Sequence, residues 1–355
     1  MIKKVLTILR RATIGLGVLL VSAMALGALW QAWSVQRDAD RFPPPGRMVD
    51  IGSHRLHLDC RGTGSPTVLL EAGGQLWSSG WRYIHDDLAE RYTVCAYDRS
   101  GLGWSEQGPG PYDAEQAVEE LNALLAAADV ARPFVYVGHS LGGMLARVYH
   151  RRYPDDIAAA VYIDSGEPEI LIDDFEARRD DPVRSCSFNC RMQIGAAWLG
   201  VTRLVLSQVD MLNDPELSPE AVAEFRARAS LPSFIDSALT IAHYIPRASF
   251  QTLDAGPIGD RPLLVLYSGD YGSLVSAGED PAEMARWKAS YIDAWATGVA
   301  ASPAGVGPIA VPGANHISVV TYRSHSARVS DEISSFIESH LEGRETHTAS
   351  ARAAR

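Results

Sequence analysis

Hydrophobic positions follow two different patterns along the chain. From Ala12 to Trp30 they form one apolar stretch without a charged residue. Beyond residue 46 they come as short runs separated by amphipathic segments. Short runs of this kind are typical of strands buried on both faces, and the segments between them of helices that cover a sheet. The first pattern therefore predicts a helix that is apolar on all sides, and the second predicts one α/β domain.

The short apolar runs predict eight strands. A hairpin is expected first, because two runs flank a Gly-Ser turn and the second run alternates in polarity. The eight predicted strands are residues 47–51, 54–59, 67–71, 93–97, 134–137, 159–163, 263–267 and 308–311. Asp113 followed by Gln116 has the spacing of a helix capping box, and residues 330–341 form an amphipathic closing helix.

The apolar stretch at 12–30 is long enough to cross a bilayer. A helix over these residues would extend about 28 Å, close to the thickness of the hydrocarbon layer. Basic residues precede it, and Trp30 and Trp33 stand at its end, where interfacial aromatic residues belong. We predict an anchor or signal segment at 1–36 that contacts a lipid bilayer through residues 12–30, followed by a Pro-rich linker at 37–46.

This topology places the rest of the chain outside the cytoplasm, in the periplasm or the extracellular space. One alternative is secretion after cleavage of a signal peptide near the small residues at 23–25. A second alternative is a buried helix of a soluble protein. We favour the membrane anchor.

Composition narrows the class of partner. The chain has 46 % hydrophobic residues, enough for a large core, and a formal net charge of -11. An acidic surface repels phosphate backbones, so no nucleic-acid partner is expected.

The four cysteines permit disulfides in an exported protein, but their spacing identifies no pairing. No His or acid stands at ligand spacing beside them, so no metal site is predicted.

The strongest chemical signal is the run Gly-His-Ser-Leu-Gly at 138–142. It follows a predicted strand and precedes a predicted helix at 141–153. A Gly-x-Ser-x-Gly turn between strand and helix strains the backbone and exposes the hydroxyl, while the helix N-terminus favours developing negative charge. We therefore predict Ser140 as a nucleophile. The alternative is a glycine-rich turn without chemistry.

A serine nucleophile needs a base and two N–H donors. His316 comes just after the last predicted strand and follows Ser140 in the order that this kind of site requires, so it is the predicted base. One donor should be the N–H of Leu141, which follows the nucleophile. The other should come from the loop after the strand at 67–71, with Gly74 as first choice and Gln75 as the fallback. A tight turn without a ligand is the alternative for this loop.

Together these motifs resemble the α/β-hydrolase superfamily, and the resemblance covers roughly residues 45–340 except the insertion between strands six and seven. It is closest to small bacterial serine hydrolases whose oxyanion loop reads Glu-Ala-Gly, here residues 71–73. The resemblance implies a mostly parallel eight-stranded sheet, a helical cap after strand six, no cofactor, and a Ser-His-acid triad. It assigns residues 47–165 and 258–341 to the core, 166–257 to the cap and 342–355 to a disordered tail.

The acid of the triad is where this chain departs from the superfamily pattern. The usual position, three residues past a glycine after the seventh strand, is occupied here by Gly272, and the nearest acid is Asp270. Asp164, at the end of the sixth strand, is the other candidate. We favour Asp164 and keep Asp270 as the alternative.

The predicted activity is hydrolysis of a carboxylic ester, or a related acyl bond, of a small to medium apolar substrate through an acyl-enzyme on Ser140. An acyltransferase or a cofactor-free perhydrolase would use the same triad with another acceptor. A non-catalytic ligand-binding relative is a third hypothesis. Some apolar residues of the predicted cap should line the acyl pocket, drawn from Phe175, Trp198, Leu199, Leu204, Val205, Leu206, Phe225, Phe234, Ile241 and Tyr244.

Overall fold

The computed structural model describes residues 2–175, 187–208, 217–270 and 281–342. These residues form two compact units. The helical unit contains the N-terminal residues up to Pro43 together with 187–208 and 218–236. The sheet unit contains the remaining described residues.

An eight-stranded sheet forms the centre of the sheet unit, with the strand order β1-β2-β4-β3-β5-β6-β7-β8. Strand β2 pairs antiparallel with both β1 and β4, and all other neighbouring strands are parallel. The strands are β1 (Arg47–Asp50), β2 (Arg55–Arg61), β3 (Thr67–Glu71), β4 (Thr93–Tyr97), β5 (Phe134–His139), β6 (Ile157–Ile163), β7 (Leu263–Ser268) and β8 (Gly305–Val311). The prediction of a mostly parallel eight-stranded sheet is confirmed.

Helices cover both faces of this sheet, which explains why its inner strands are apolar throughout. The helices of the sheet unit are α2 (Arg82–Ala89), α3 (Ala114–Ala127), α4 (Leu141–Arg152), α5 (Pro168–Phe175), α10 (Pro281–Ala301), α11 (Ser318–Thr321) and α12 (Arg323–Ile337), and α9 (Pro232–Ala255) enters it from residue 237 onward. Asp113 caps α3 as predicted, since its carboxylate accepts a 3.0 Å hydrogen bond from the N–H of Gln116. The closing helix begins at Arg323, earlier than predicted, and α10 was not predicted.

The helical unit consists of α1 (Ile2–Arg41), α6 (Phe188–Trp198), α7 (Val201–Gln208), α8 (Pro219–Ala229) and the start of α9. Helix α1 continues through residues 37–41, so the predicted linker begins five residues too early. The physical reason is that Asp38 is buried and accepts a hydrogen bond from Arg203, while Arg41 pairs with Glu220 at 2.6 Å. In the described chain, α1 is the one helix long and apolar enough to cross a membrane.

The predicted cap at 166–257 does not form one piece. Residues 187–208 and 218–236 cluster with α1, whereas 237–257 cluster with the sheet. Contacts with the polar end of α1 explain this division, because Gln31 donates a 3.0 Å hydrogen bond to the carbonyl of Ser230. The predicted tail lies outside the described residues from position 343 onward.

One disulfide joins two neighbouring strands of the sheet. Cys60 on β2 lies directly opposite Cys95 on β4 in the antiparallel register, with Cα atoms 4.0 Å apart. This disulfide links two residues that are 35 positions apart in the sequence. The sequence could not identify this pair, because the pairing depends on the strand register. Cys186 lies outside the described residues.

Candidate active site

Ser140 stands in a strained turn between β5 and α4. Its φ is 53°, in the region that residues with a side chain rarely occupy. The two flanking glycines are required by close approach of the backbone: a Cβ on Gly138 would lie 2.5 Å from the carbonyl carbon of Gly142, and a Cβ on Gly142 would lie 2.4 Å from the carbonyl oxygen of Glu71. This tight packing positions the serine at the carboxyl end of the central strands.

His316 reaches the serine from the loop after β8. Its Nε2 lies 3.0 Å from Ser140 Oγ. The side chain of Asn315 orders this loop, since its Oδ1 accepts hydrogen bonds from the N–H groups of Ile317 and Ser318 at 3.0 and 2.8 Å. The predicted base and nucleophile are therefore brought together across 176 residues of sequence.

Asp164, and not Asp270, contacts the other ring nitrogen of His316. The distance from His316 Nδ1 to Asp164 Oδ2 is 2.7 Å. The N–H and hydroxyl of Ser268 also donate to the Asp164 carboxylate, at 3.0 and 2.8 Å. Burial by itself raises the pKa of Asp164, but the hydrogen bonds from His316 and Ser268 outweigh it and lower the pKa to about 2. The carboxylate is therefore ionised at neutral pH.

Asp270 takes a different place. Its side chain is exposed, and its backbone N–H donates a 2.8 Å hydrogen bond to the carbonyl of Ala314. It thus supports the loop that carries His316. Asp164 is placed better because β6 and β7 are neighbours, so that Ser268 at the end of β7 can hold the carboxylate in position.

The loop after β3 lies against the serine turn. A Cβ on Gly73 would lie 2.8 Å from His139 Nδ1 and 3.3 Å from Ser140 Cβ, so the backbone approaches as closely as glycine allows. A Cβ on Gly74 would lie 3.8 Å from the Leu141 side chain. Leu141 is the first residue of α4, where the N–H has no acceptor within the helix. The structure thus brings Gly74 and Leu141 together beside Ser140, whereas the side chain of Gln75 is exposed.

A buried ion pair holds the same loop from behind. Arg99 pairs with Glu71, donates a 2.6 Å hydrogen bond to the carbonyl of Ala72, and donates another to the carbonyl of Gly73. Tyr97 donates to the same Glu71 carboxylate. Because the carbonyls of Ala72 and Gly73 point toward Arg99, the N–H groups of this loop can point away from Arg99.

His139 is a residue of the site that sequence reasoning missed. Its ring is buried, its Nε2 donates a 2.8 Å hydrogen bond to the carbonyl of His316, and the two ring centroids lie 4.8 Å apart. Burial, and then the charge of His316, lower the pKa of His139 to about 3. His139 is therefore neutral at neutral pH and fixes the backbone of the predicted base. Its position inside the serine motif was the only sequence signal.

The lowered pKa of His139 predicts a pH-dependent stability. In the unfolded chain its pKa returns to about 6.5, so the unfolded state binds one more proton between roughly pH 6.5 and 3. Stability should therefore fall as the pH is lowered through this window, by at most about 1.4 kcal/mol per pH unit for this group. We measure the free energy of unfolding in urea at several pH values. As the pH is lowered, this free energy should fall less steeply for His139→Asn than for the wild type.

His243→Asn serves as the control for that measurement, because His243 is exposed. It should reproduce the wild-type slope of unfolding free energy against pH. An equal slope for His139→Asn and the wild type would contradict the neutral buried state of His139.

A cavity of about 310 Å³ opens beside Ser140 and His316. Its lining is mostly apolar and includes Leu141, Met144, Leu171, Ile245, Trp287, Tyr291 and Trp295. The three aromatic residues recur every four positions on one face of α10, with ring centroids 4.3 and 5.6 Å apart. The wall of this cavity therefore comes largely from a helix that the sequence analysis did not identify.

Five of the ten residues considered for an acyl pocket lie away from this cavity. Ile241 and Tyr244 line a separate, smaller cavity beyond Leu141. Trp198, Leu204 and Val205 are exposed rather than packed around a pocket. These five therefore do not line the cavity beside Ser140, because apolar composition alone does not identify which residues line a particular pocket.

Comparison with known proteins agrees with this architecture. Residues 66–189 match the sequence model of a family described as alpha/beta hydrolase fold. The uncharacterized protein YqjL of Bacillus subtilis is 34 % identical over 104 residues, which cover 29 % of this chain and 41 % of YqjL. The matches to the first three curated relatives span only 18 % to 41 % of the length of those proteins.

Solved structures share the fold over most of the chain. The epoxide hydrolase CorEH superposes with a TM-score of 0.57 at 20 % identity, covering 82 % of this chain and 98 % of that one. A thermophilic esterase from Thermogutta terrifontis superposes with a TM-score of 0.53 at 19 % identity, covering 83 % and 99 %. At this identity the likeness shows the fold alone. The chain has the α/β-hydrolase fold, and membership of the narrower group with a Glu-Ala-Gly loop stays a prediction.

Proposed function

We propose that this protein is a serine hydrolase of the carboxylesterase type, with Ser140, His316 and Asp164 as its catalytic triad. The observation that carries the proposal is the continuous chain of contacts from Ser140 Oγ through both nitrogens of His316 to the Asp164 carboxylate, at 3.0 and 2.7 Å. The low pKa of Asp164 supports its role, because an ionised carboxylate orients the imidazole and stabilises its cation.

The geometry supports a two-step acyl transfer. Ser140 Oγ attacks the ester carbonyl while His316 Nε2 takes the hydroxyl proton, and the N–H groups of Gly74 and Leu141 receive the oxyanion. The C–O bond to the alcohol then breaks as His316 returns the proton to the leaving oxygen. Water, deprotonated by His316, attacks the acyl-enzyme and releases the acid. A serine nucleophile is at odds with epoxide hydrolysis through an aspartate ester, despite the shared fold.

Hydrolysis is tested by turnover of p-nitrophenyl esters in water and in the presence of an added alcohol. We expect the free acid as the main product at every alcohol concentration. A product mixture dominated by the new ester would favour acyltransfer with the same triad. The absence of turnover across a panel of acyl chains would contradict the proposal.

The cavity favours an uncharged acyl group with a ring. Aromatic faces attract planar rings in offset or edge-on contact, and Trp287 contributes such a face. We expect Trp287→Ala to lower kcat/KM for a phenylacetate ester by roughly tenfold or more, the size typical of a lost apolar contact in a pocket. Turnover of the acetate ester of the same alcohol should change little.

Trp287→Phe is the matched control for this comparison, since it keeps an aromatic ring on the wall. It should retain most of the preference for phenylacetate over acetate. Equal losses on both esters in Trp287→Ala would assign this residue to folding rather than to acyl selection.

We also propose that α1 anchors the enzyme in a membrane with the sheet unit exported. Its side chains from Val5 to Leu26 are mostly exposed and apolar, whereas Gln31, Ser34 and Asp38 are buried in the helical unit. An exposed apolar segment that continues into a packed polar one supports a helix that leaves a bilayer and enters protein. A mature chain that begins at Leu26 would instead support a cleaved signal.

A further inference from the structure

Helices α6 and α7 carry an exposed apolar surface. Its side chains, with their exposed fractions, are Phe188 80 %, Met192 57 %, Trp198 63 %, Val201 47 %, Leu204 58 % and Val205 53 %. Leu204 and Val205 follow Val201 by three and four positions, so these three side chains share one face of α7. Exposed apolar side chains on two helices that contact each other are typical of a site of contact with a protein or a membrane.

The turn between α6 and α7 packs against α1. A Cβ on Gly27 would lie 2.6 Å from the carbonyl oxygen of Leu199, and a Cβ on Gly200 would lie 2.7 Å from the ring of Trp30. Both contacts lie at the carboxyl end of the apolar stretch 12–30. The apolar surface of α6 and α7 is therefore held beside the point where the apolar part of α1 ends.

The same point is the boundary between two environments along α1. Before it, large apolar side chains such as Leu19 and Leu26 are 65 % and 67 % exposed. After it, Gln31 is buried and accepts a 2.9 Å hydrogen bond from Arg203 of α7. Trp30 remains 42 % exposed at the boundary, which is the depth at which tryptophan is enriched in membrane proteins.

Charge favours a lipid surface over a soluble partner. The whole chain is acidic, yet no acidic residue occurs between Asp181 and Asp210. The exposed Arg191 lies within this interval on α6. A segment that combines exposed apolar side chains with arginine and has no carboxylate in its sequence suits the headgroup region of a bilayer, where anionic lipids attract basic residues.

We propose that α6 and α7 form a second membrane contact, which inserts its apolar face into the headgroup region of the leaflet from which α1 emerges. The proposal rests on the anchoring of α1 proposed above. Two contacts at one depth would hold the helical unit at the surface of the bilayer, instead of leaving it attached through a single helix.

Fluorescent labels on the full chain in vesicles of phosphatidylcholine and phosphatidylglycerol test the proposal. Single cysteines carrying an environment-sensitive NBD group are placed by Met192→Cys, Val205→Cys and Ser207→Cys, all at exposed positions. Position 207 is the matched control, because it lies about 200° around the helix from 205. Among the described residues no native cysteine offers a free thiol to the label.

We expect the labels at 192 and 205 to be protected from aqueous iodide roughly threefold better than the label at 207, and to be quenched by nitroxide lipids, as for a helix lying in the interface. A fourth label, from Leu20→Cys, reports on α1 itself. If position 20 is protected while 192 and 205 match 207, the second contact is overturned and the anchor stands. If position 20 is open to iodide, the anchor fails and the second contact fails with it.

A charge substitution provides a second, independent test of the proposed membrane contact. Leu204→Glu should return the label at 192 to the iodide quenching seen at 207, because a carboxylate resists insertion among apolar and anionic groups. Ser207→Glu, at the exposed position about 200° around the helix from Val205, should leave that label protected. Unchanged helical circular dichroism shows that each variant is folded. Protection that survives Leu204→Glu overturns the proposal.

Discussion

Replacement of Ser140 by alanine is expected to abolish ester turnover, lowering kcat by ~10⁶-fold, the loss typical when the nucleophile of a serine hydrolase is removed. The reason is that the hydroxyl alone provides the covalent path, while the base and the N–H donors have no nucleophile to assist. Labelling by a fluorophosphonate should disappear with the turnover. Residual kcat and label incorporation, followed by peptide mapping, measure both effects.

Ser165→Ala is the control for that experiment. Ser165 lines the same cavity, but its hydroxyl donates to the carbonyl of Gly166 at 3.1 Å and not to His316. This variant should keep most of its turnover and its label. Fluorophosphonate labelling that persists in Ser140→Ala would refute the assignment of the nucleophile and, with it, the proposed function.

Replacement of Asp164 by asparagine is expected to lower kcat by roughly 10⁴-fold with little change in substrate affinity. Asparagine keeps an oxygen for Ser268, which donates to the carboxylate at 3.0 and 2.8 Å, so the local fold should survive. It removes the negative charge that stabilises the imidazolium and can hold His316 in the wrong tautomer. Kinetics on a short-chain ester, with thermal unfolding as the check on folding, measure the effect.

Asp270→Asn is the matched comparison, because Asp270 is the other acid near the end of β7. The structure places its side chain in an exposed position, and its backbone N–H donates to the carbonyl of Ala314 in the His316 loop. We expect near-normal kcat. The opposite pattern, an inactive Asp270→Asn and an active Asp164→Asn, would move the acid to the usual seventh-strand position.

The predictions that held were those that depend on local pattern. Strands buried on both faces must be apolar along their whole length, so β3 and β4 could be placed to the residue. The serine turn could be identified from the sequence because close approach of the backbone requires glycine at 138 and 142, and both lie two positions from Ser140. The fold class followed from the alternation of such elements.

The acid and the pocket depended on neighbours that are distant in sequence. The sequence left Asp164 and Asp270 open, because both follow strands that end at the same edge of the sheet. The deciding contact comes from Ser268, which is 104 residues from Asp164 and meets it only because β6 and β7 pair. The aromatic wall of α10 was missed for a similar reason, since a repeat of Trp287, Tyr291 and Trp295 on one helix face is equally typical of ordinary core.

By itself, the sequence determined the elements of the sheet, the strained serine turn and the apolar N-terminal helix, because short-range sterics and hydrophobic periodicity dictate each of them. The tertiary structure decided which acid meets His316, that Cys60 pairs with Cys95, and that the ring of His139 packs on the ring of His316. It also divided the predicted cap between two units. These features depend on strand register and helix docking, and such long-range contacts leave no periodic signal in a single chain.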